Sequence, residues 1–408
     1  MSLTRVYFPG LNGLRFFAAL AVIFTHVELL KKFLGFGSHW LDLEKISYDT
    51  PIEAIVRREI SWITPFISNS GPLGVVFFFV LSGFLITYLL FVEKEKTGVI
   101  AVKDFYIRRI LRIWPLYFLV FVLGFMVLPN FEWFEVKVQT RAMNAYYWEN
   151  FFLYLFFLPN LAFSMFIAVP NIGQLWSIGV EEQFYLIWPW LMKKSKNFIR
   201  TIVVFIVLLV AFKLAFLIFS SNVQGYWVGV AKKFFAMSKL ECMALGGLGA
   251  YVLYYKKENI LKWVYKPITL IWSVVSIFIC ILIVPKFLQN GAHLYYSLCS
   301  LVIILNVATN PACFIKLENR VFDHLGKISF GIYMYHMMIA AFVLHFSKDV
   351  LHFGADLKAP QILFVYSATI LLTILVSSLS YRYFELPFIQ RKKKVTHIIS
   401  GENAKKGA

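Results

Sequence analysis

Charge is scarce in this 408-residue sequence: Asp, Glu, Lys and Arg make up only 15% of it, and the acidic residues (22) are outnumbered by Lys and Arg (40). Hydrophobic residues reach 60%, aromatics 18%, and the mean hydropathy is +0.70. So few charges cannot cover so much apolar surface, which excludes a water-soluble globular protein of this length. Cysteine is scarce too. Cys242, Cys280, Cys299 and Cys313 lie in or beside apolar runs with no CxxC or Cys/His spacing, which excludes a disulfide framework and a zinc site. There is no Gly-rich phosphate loop, HExxH or GxSxG, no internal repeat and no low-complexity linker. The first apolar run lacks a small-residue cleavage site, so it reads as a retained helix rather than a signal peptide.

What is present is a series of long apolar runs of bilayer length. Ten spans are expected, near 14–34, 72–92, 110–128, 175–192, 198–219, 235–255, 267–284, 294–308, 328–346 and 362–384. The reading is an all-α polytopic membrane protein, with one membrane domain over residues 1–390 and a basic, disordered cytoplasmic tail over 391–408. The net charge of +18 does not call for nucleic acid, because Lys and Arg gather in short clusters between the runs. Cytoplasmic loops are where a membrane protein collects them. With ten spans and both termini cytoplasmic, 26 of the 40 Lys and Arg fall on the cytoplasmic side. An eleventh apolar stretch, 150–169, would invert everything after it if it crossed the membrane, and would place the tail's Arg391–Lys394 outside. The segment near 150–174 is therefore expected to be re-entrant or interfacial, with breaks at Pro159-Asn160 and Pro170-Asn171.

This topology sorts the polar residues by depth. Arg15 stands at the inner end of the first span, and His26 lies ~16 Å further out along the helix. An ionisable side chain within a span is costly and marks a candidate site. Arg109 and Arg112, and equally Arg108 and Arg112, share a helix face at an inner end and suit a pyrophosphate. Ordinary snorkelling arginines would look the same. Glu181 and Glu182 lie in the outer half of the fourth span, where one of them can orient His26 as general base, and the sequence does not decide which. Ser82-Gly83 lets a second backbone or a thin ligand arm approach; Ser82 as nucleophile needs a base that sequence cannot show. Trp176 and Tyr185 can stack on a sugar or form an interfacial belt. His336 is a further polar ligand of the same cavity or an interhelical hydrogen bond. Lys213 and Lys239 read as snorkellers, with Glu241 as partner of either.

Six motifs in order, Arg15-x10-His26, VVFFFVLSGFLI, the RxxR of Arg109 and Arg112, LWSIGVEEQFYLIWP, ISFGIYMYH and YRYFELP, together resemble the membrane-bound acyltransferase-3 family over residues ~8–390. The resemblance implies a ten-span inner-membrane enzyme that carries an acyl group, commonly acetyl, from cytoplasmic acyl-CoA to an extracytoplasmic glycan. It implies catalytic roles for His26, Glu181 and Glu182, and a CoA site at Arg15, Arg109 and Arg112, with the pantetheine arm passing Ser82. Trp176, Tyr185 and His336 are the expected acceptor contacts. No metal is called for. Some relatives carry an extra C-terminal domain; this chain reads as the standalone form, with transfer direct or completed by a separate periplasmic partner. The partners implied are acyl-CoA, a surface carbohydrate and the bilayer; the oligomeric state is left open. Two other readings remain at this stage: a glycan exporter or flippase, and transfer of another acyl group such as succinyl to a non-sugar acceptor.

Overall fold

The computed structural model describes residues 4–36, 63–283, 292–391 and 398–400. It is helical almost throughout. Helix α1 is Leu11–Phe33, α2 Ile63–Thr97 and α3 Val102–Val122, the last continued by a π-turn at Leu123–Val127. Three short helices follow: α4 Lys137–Ala145, α5 Tyr147–Leu155 and α6 Pro159–Met165. Then come α7 Leu175–Lys194, α8 Phe198–Ser221, α9 Tyr226–Met237, α10 Leu240–Tyr254, α11 Glu258–Val264, α12 Pro267–Ile283 and α13 Ala292–Thr309. The chain closes with α14 Arg320–Lys327, α15 Ser329–Asp349, α16 Ala359–Ser380, a second π-turn at Tyr381–Glu385, and α17 Leu386–Arg391. Thr4–Val6 (β1) and Ile398–Ser400 (β2) form a short parallel pair that brings the two ends of the chain together. β2 lies within the expected tail; the tail residues 392–397 and 401–408 lie outside the described residues.

Among the described residues, seven helices are long and apolar enough to cross a membrane, and the pair α11–α12, bent by 58°, makes an eighth if it is one span. Helices stand at all ten expected positions, and three fall short for identifiable reasons. The apolar length of α7 is diluted by Glu181, Glu182 and Gln183. The expected sixth span breaks between Met237 and Leu240, leaving α10 with 15 residues. In α12, 17 residues are described. The expected re-entrant stretch consists of α5 and α6, each too short to span, with Phe157 between them at a left-handed φ of 60°.

Position in the bundle follows from surface chemistry. α8 is almost wholly apolar and few of its residues are fully buried, as in a lipid-facing helix, whereas two-thirds of the apolar stretch of α2 is buried. α2 is central because its small residues admit neighbouring backbones. A Cβ on Gly83 would lie 1.8 Å from the Met243 carbonyl oxygen of α10, and one on Gly246 would lie 2.0 Å from that of Val80. Against α1, the contact is made at Gly74, where a Cβ would lie 2.5 Å from the Ala18 carbonyl. Thr25 locks the same pair: its Oγ1 accepts from the Gly71 amide (2.8 Å) and donates to the Ile67 carbonyl (2.6 Å). Helices α1, α2, α3, α7 and α15 thereby surround a polar interior.

Candidate active site

Two polar groupings lie within this ring of helices. The first is a cavity of about 140 Å³ whose wall includes Arg15, Arg109, Arg112, Ser82, Ser177, Glu181, Tyr185 and Tyr333. The cluster Arg108–Arg112 is thus divided. Arg108 turns away and pairs with the buried Glu93 (2.8 Å), while Arg109 and Arg112 join Arg15 at the cavity. Arg15 is within Coulombic reach of both, and of Glu181. Among the described residues none of these three guanidiniums bonds a carboxylate, although Glu181 lies on the wall and Glu182 and Glu385 lie within Coulombic reach of Arg109 and Arg112. Arg109 Nε is buried without a hydrogen-bond partner, and its guanidinium lies 5.7 and 5.8 Å from the ring centres of Phe105 and Tyr185. An unsatisfied buried donor beside guanidiniums that bond no carboxylate suits an anion that supplies the missing acceptors.

Glu181 accepts from the Tyr185 hydroxyl (2.6 Å), and that oxygen in turn meets Ser82 Oγ (2.5 Å). Glu182, about 100° round the helix, faces α3 instead and accepts from Trp114 Nε1 (3.2 Å), with its second oxygen buried and unpartnered. Tyr185 is therefore held by the carboxylate and serine of the arginine cavity. Trp176 packs edge-on to Phe79.

The second grouping is a pair of histidines. His26 Nδ1 lies 2.7 Å from His336 Nε2, with the rings nearly parallel, and His336 Nδ1 lies 2.7 Å from the Tyr333 carbonyl. The expectation that a glutamate occupies the orienting nitrogen of His26 is corrected here: that nitrogen is taken by His336. One proton arrangement satisfies the chain with both rings neutral. A carbonyl can only accept, so His336 Nδ1 carries a proton and its Nε2 is the acceptor; His26 then donates from Nδ1, and its Nε2 keeps a free lone pair. His336 is completely buried while His26 is partly exposed. The accessible histidine is thus the one with an uncommitted nitrogen, which has no partner among the described residues.

The two groupings adjoin through Tyr333, whose ring lines the arginine cavity and whose carbonyl holds His336. Its hydroxyl donates to the Gln174 carbonyl (3.1 Å) and meets Ser177 Oγ (2.6 Å). Above them, α6 is seated on α7 at Gly179, where a Cβ would lie 2.7 Å from Pro159 Cδ, and by a reciprocal amide pair between Asn160 and Gln183. Sequence reasoning missed Glu385, a buried carboxylate in the second π-turn within Coulombic reach of Arg112. Its sign was present: an acid inside the apolar YRYFELP segment.

A separate polar cluster joins α8, α10 and α13. Lys213 Nζ bonds both oxygens of the buried Glu241 (2.7 and 2.8 Å) and the Ser238 carbonyl, and His293 Nε2 meets Glu241 (2.8 Å). Glu241, Cys242 and His293 place three ligand-type atoms within 4.8 Å of one another. The lysine ammonium already occupies both carboxylate oxygens, so the donor set does not favour a metal.

Comparison with known proteins bears on what these sites do. Residues 8–382, nearly the whole chain, match the family model of the acyltransferase-3 domain. The chain belongs to that family. Its relatives include a provisionally named O-acetyltransferase of Staphylococcus aureus strain COL, 28% identical over 396 residues that cover 94% of this chain and 57% of the relative. The O-acetyltransferase OatA of S. aureus strain NCTC 8325 is 27% identical over 406 residues, covering 95% and 58%. The chain thus spans under three fifths of the length of these relatives. No solved structure matches.

Proposed function

We propose that this acyltransferase-family chain is an O-acetyltransferase that takes acetyl from cytoplasmic acetyl-CoA and delivers it to a hydroxyl of an extracytoplasmic glycan. The observation that carries the reading is the cavity with three arginines, one of them with an unsatisfied buried nitrogen, set beside a histidine with a free ring nitrogen. Arg15, Arg109 and Arg112 hold the donor's phosphates. His26 Nε2 takes the proton of the attacking hydroxyl, and His336, itself tied to the Tyr333 carbonyl, fixes the tautomer and shares the charge that develops. The relatives' names support acetyl as the group transferred.

The membrane arrangement in this reading is ten spans with α5–α6 as a re-entrant or interfacial cap over α7. The pairing of Thr4–Val6 with Ile398–Ser400 supports an even number of crossings, because both ends must lie on one side. The positive-inside bias supports the cytoplasm as that side. Arg15 then lies towards the cytoplasm and His26 towards the outside, so one helix carries the phosphate grip and the base in the order in which a donor from inside and an acceptor from outside would meet them.

The test is His26→Ala in the native host, read by mass spectrometry of surface glycans. Loss of acetyl groups at normal protein level is expected, a fall on the order of 10²–10⁴-fold for removal of a general base. Undiminished acetylation would refute the base assignment. Purified wild-type protein that releases no CoA from acetyl-CoA with acceptor present would refute the activity, and would point to export of the glycan in its place.

A further inference from the structure

The Ser82–Tyr185–Glu181 chain has chemistry beyond binding. A phenol has one proton, and Tyr185 donates its own to the Glu181 carboxylate (2.6 Å). The contact between Tyr185 and Ser82 (2.5 Å) must then be donated by the serine. The proton order runs from Ser82 Oγ to Tyr185 to Glu181, a hydroxyl backed through one relay by a carboxylate. That is the pattern of an activated nucleophile with its base. The serine is also placed to use it. Gly83, its neighbour, is consumed by the crossing of α2 with α10, and Ser82 points the other way, into the arginine cavity, where it is partly exposed. Ser177, the other serine of the cavity wall, is buried, and its tyrosine partner, Tyr333, donates to a backbone carbonyl, so no carboxylate stands behind it.

We propose that Ser82 is a covalent acyl carrier and that transfer takes two steps. The inference rests on the acyl-CoA reading above. In the first step Ser82 Oγ attacks the thioester carbonyl, its proton passes to Tyr185 as the Tyr185 proton passes to Glu181, and the C–S bond breaks. CoA leaves as the thiolate and takes a proton from water, and Ser82 is left as an ester. In the second step the acceptor hydroxyl attacks that ester and gives its proton to a base, His26 in the reading above. Ser82 Oγ leaves and recovers its proton from Glu181 through Tyr185. The protonated histidine releases its proton to water, and atoms and charge balance over the cycle. Tyr185 acts through Ser82 and is a positioning and relay residue. Glu181 stores the proton between the steps. The two groupings thereby gain separate tasks, loading at the arginine cavity and unloading at the histidines.

The experiment is incubation of the purified full chain with radiolabelled acetyl-CoA and no acceptor, followed by peptide mapping. Label on the Ser82 peptide, stable to neutral hydroxylamine and released by alkaline hydroxylamine, is expected. Ser82→Ala should lose both the label and glycan acetylation while still binding acetyl-CoA. Ser82→Cys should recover labelling, as a thioester. Tyr185→Phe should slow labelling on the order of 10²-fold with the KM for acetyl-CoA unchanged, a split that a merely structural hydroxyl would not produce. Glycan acetylation at the wild-type level in Ser82→Ala, or acetylation by the wild type with no labelled Ser82 peptide in single-turnover samples, would overturn the carrier and leave direct transfer intact. A wild type that forms no free CoA with any acceptor would remove the activity itself, which is a distinguishable failure.

Discussion

The chain holds two clusters of charge among apolar helices, and they are built on opposite principles. Around Glu241 the carboxylate is directly engaged: Lys213 bonds both of its oxygens and the Ser238 carbonyl, and His293 Nε2 meets it as well, while His293 Nδ1 is buried without a partner. Around Glu181, three arginines line one cavity and bond none of the carboxylates near them among the described residues: Glu181 is engaged by a tyrosine, Glu182 by a tryptophan and Glu385 by a serine, and Arg109 Nε is left without a partner. A buried charge is tolerated when it is paired and hydrogen-bonded, and an unpaired one is expensive. The first cluster therefore has its carboxylate directly paired and holds α8, α10 and α13 together. The second leaves three guanidiniums without a bonded carboxylate among the described residues, which is what an anion-binding site requires. Intramembrane charge alone does not mark function; charge without a bonded counter-charge does.

This contrast fails most visibly if breaking the balanced cluster affects only activity. Lys213→Met would leave the fully buried Glu241 carboxylate without its cation. Removing one partner of a buried pair costs about 3–5 kcal/mol, so a large fall in the melting temperature of the detergent-solubilised protein is expected. The KM of the surviving folded fraction for acetyl-CoA should stay the same. A raised KM at unchanged stability would make this cluster part of the site and dissolve the distinction.

Arg109→Met is the reciprocal change at the arginine site. It removes a partly unsatisfied cation, so stability should hold or rise slightly. The donor loses charge-assisted bonds worth about 1.5–3 kcal/mol, which raises the KM for acetyl-CoA roughly 10–100-fold. Initial rates against acetyl-CoA concentration, with acceptor saturating, give the number. A marked loss of stability with an unchanged KM would mean that Arg109 is structural after all.

Much of this was legible in the residues, and what was not has a common cause. The apolar runs mark every major helix because hydrophobic length is a local property. His26, Glu181 and the basic RxxR stand out because each is costly where it lies. The sequence could not say which of Glu181 and Glu182 faces the cavity, because neighbouring helix positions differ by a rotation that only packing against α3 and α2 sets. It could not pair His26 with His336, more than 300 positions away. Nor could it tell that Ser82 and Gly83 divide their work, with Gly83 taking the helix crossing and Ser82 the cavity. The break at Ser238–Lys239, which shortens α10, was hidden inside one apolar run, although the Lys213 bond to the Ser238 carbonyl caps it.

The smallest expected effect is the sharpest test of the difference between the clusters. In the double variant Lys213→Met with Glu241→Met, both charges leave together and two apolar side chains of similar length replace them. Neither ion of the pair is then left without its partner. Replacing a whole buried pair with well-packed apolar residues is often neutral or stabilising, so the melting temperature should return to near the wild-type value, within about 1 kcal/mol. The non-additivity between this variant and Lys213→Met alone measures the pair itself. If the double variant is as unstable as the single one, the cluster does more than balance charge, and the hydrogen bonds to Ser238 and His293 carry the stability. If it is stable yet inactive, the balanced cluster takes part in transfer, and direct pairing would no longer separate scaffold from site in this protein.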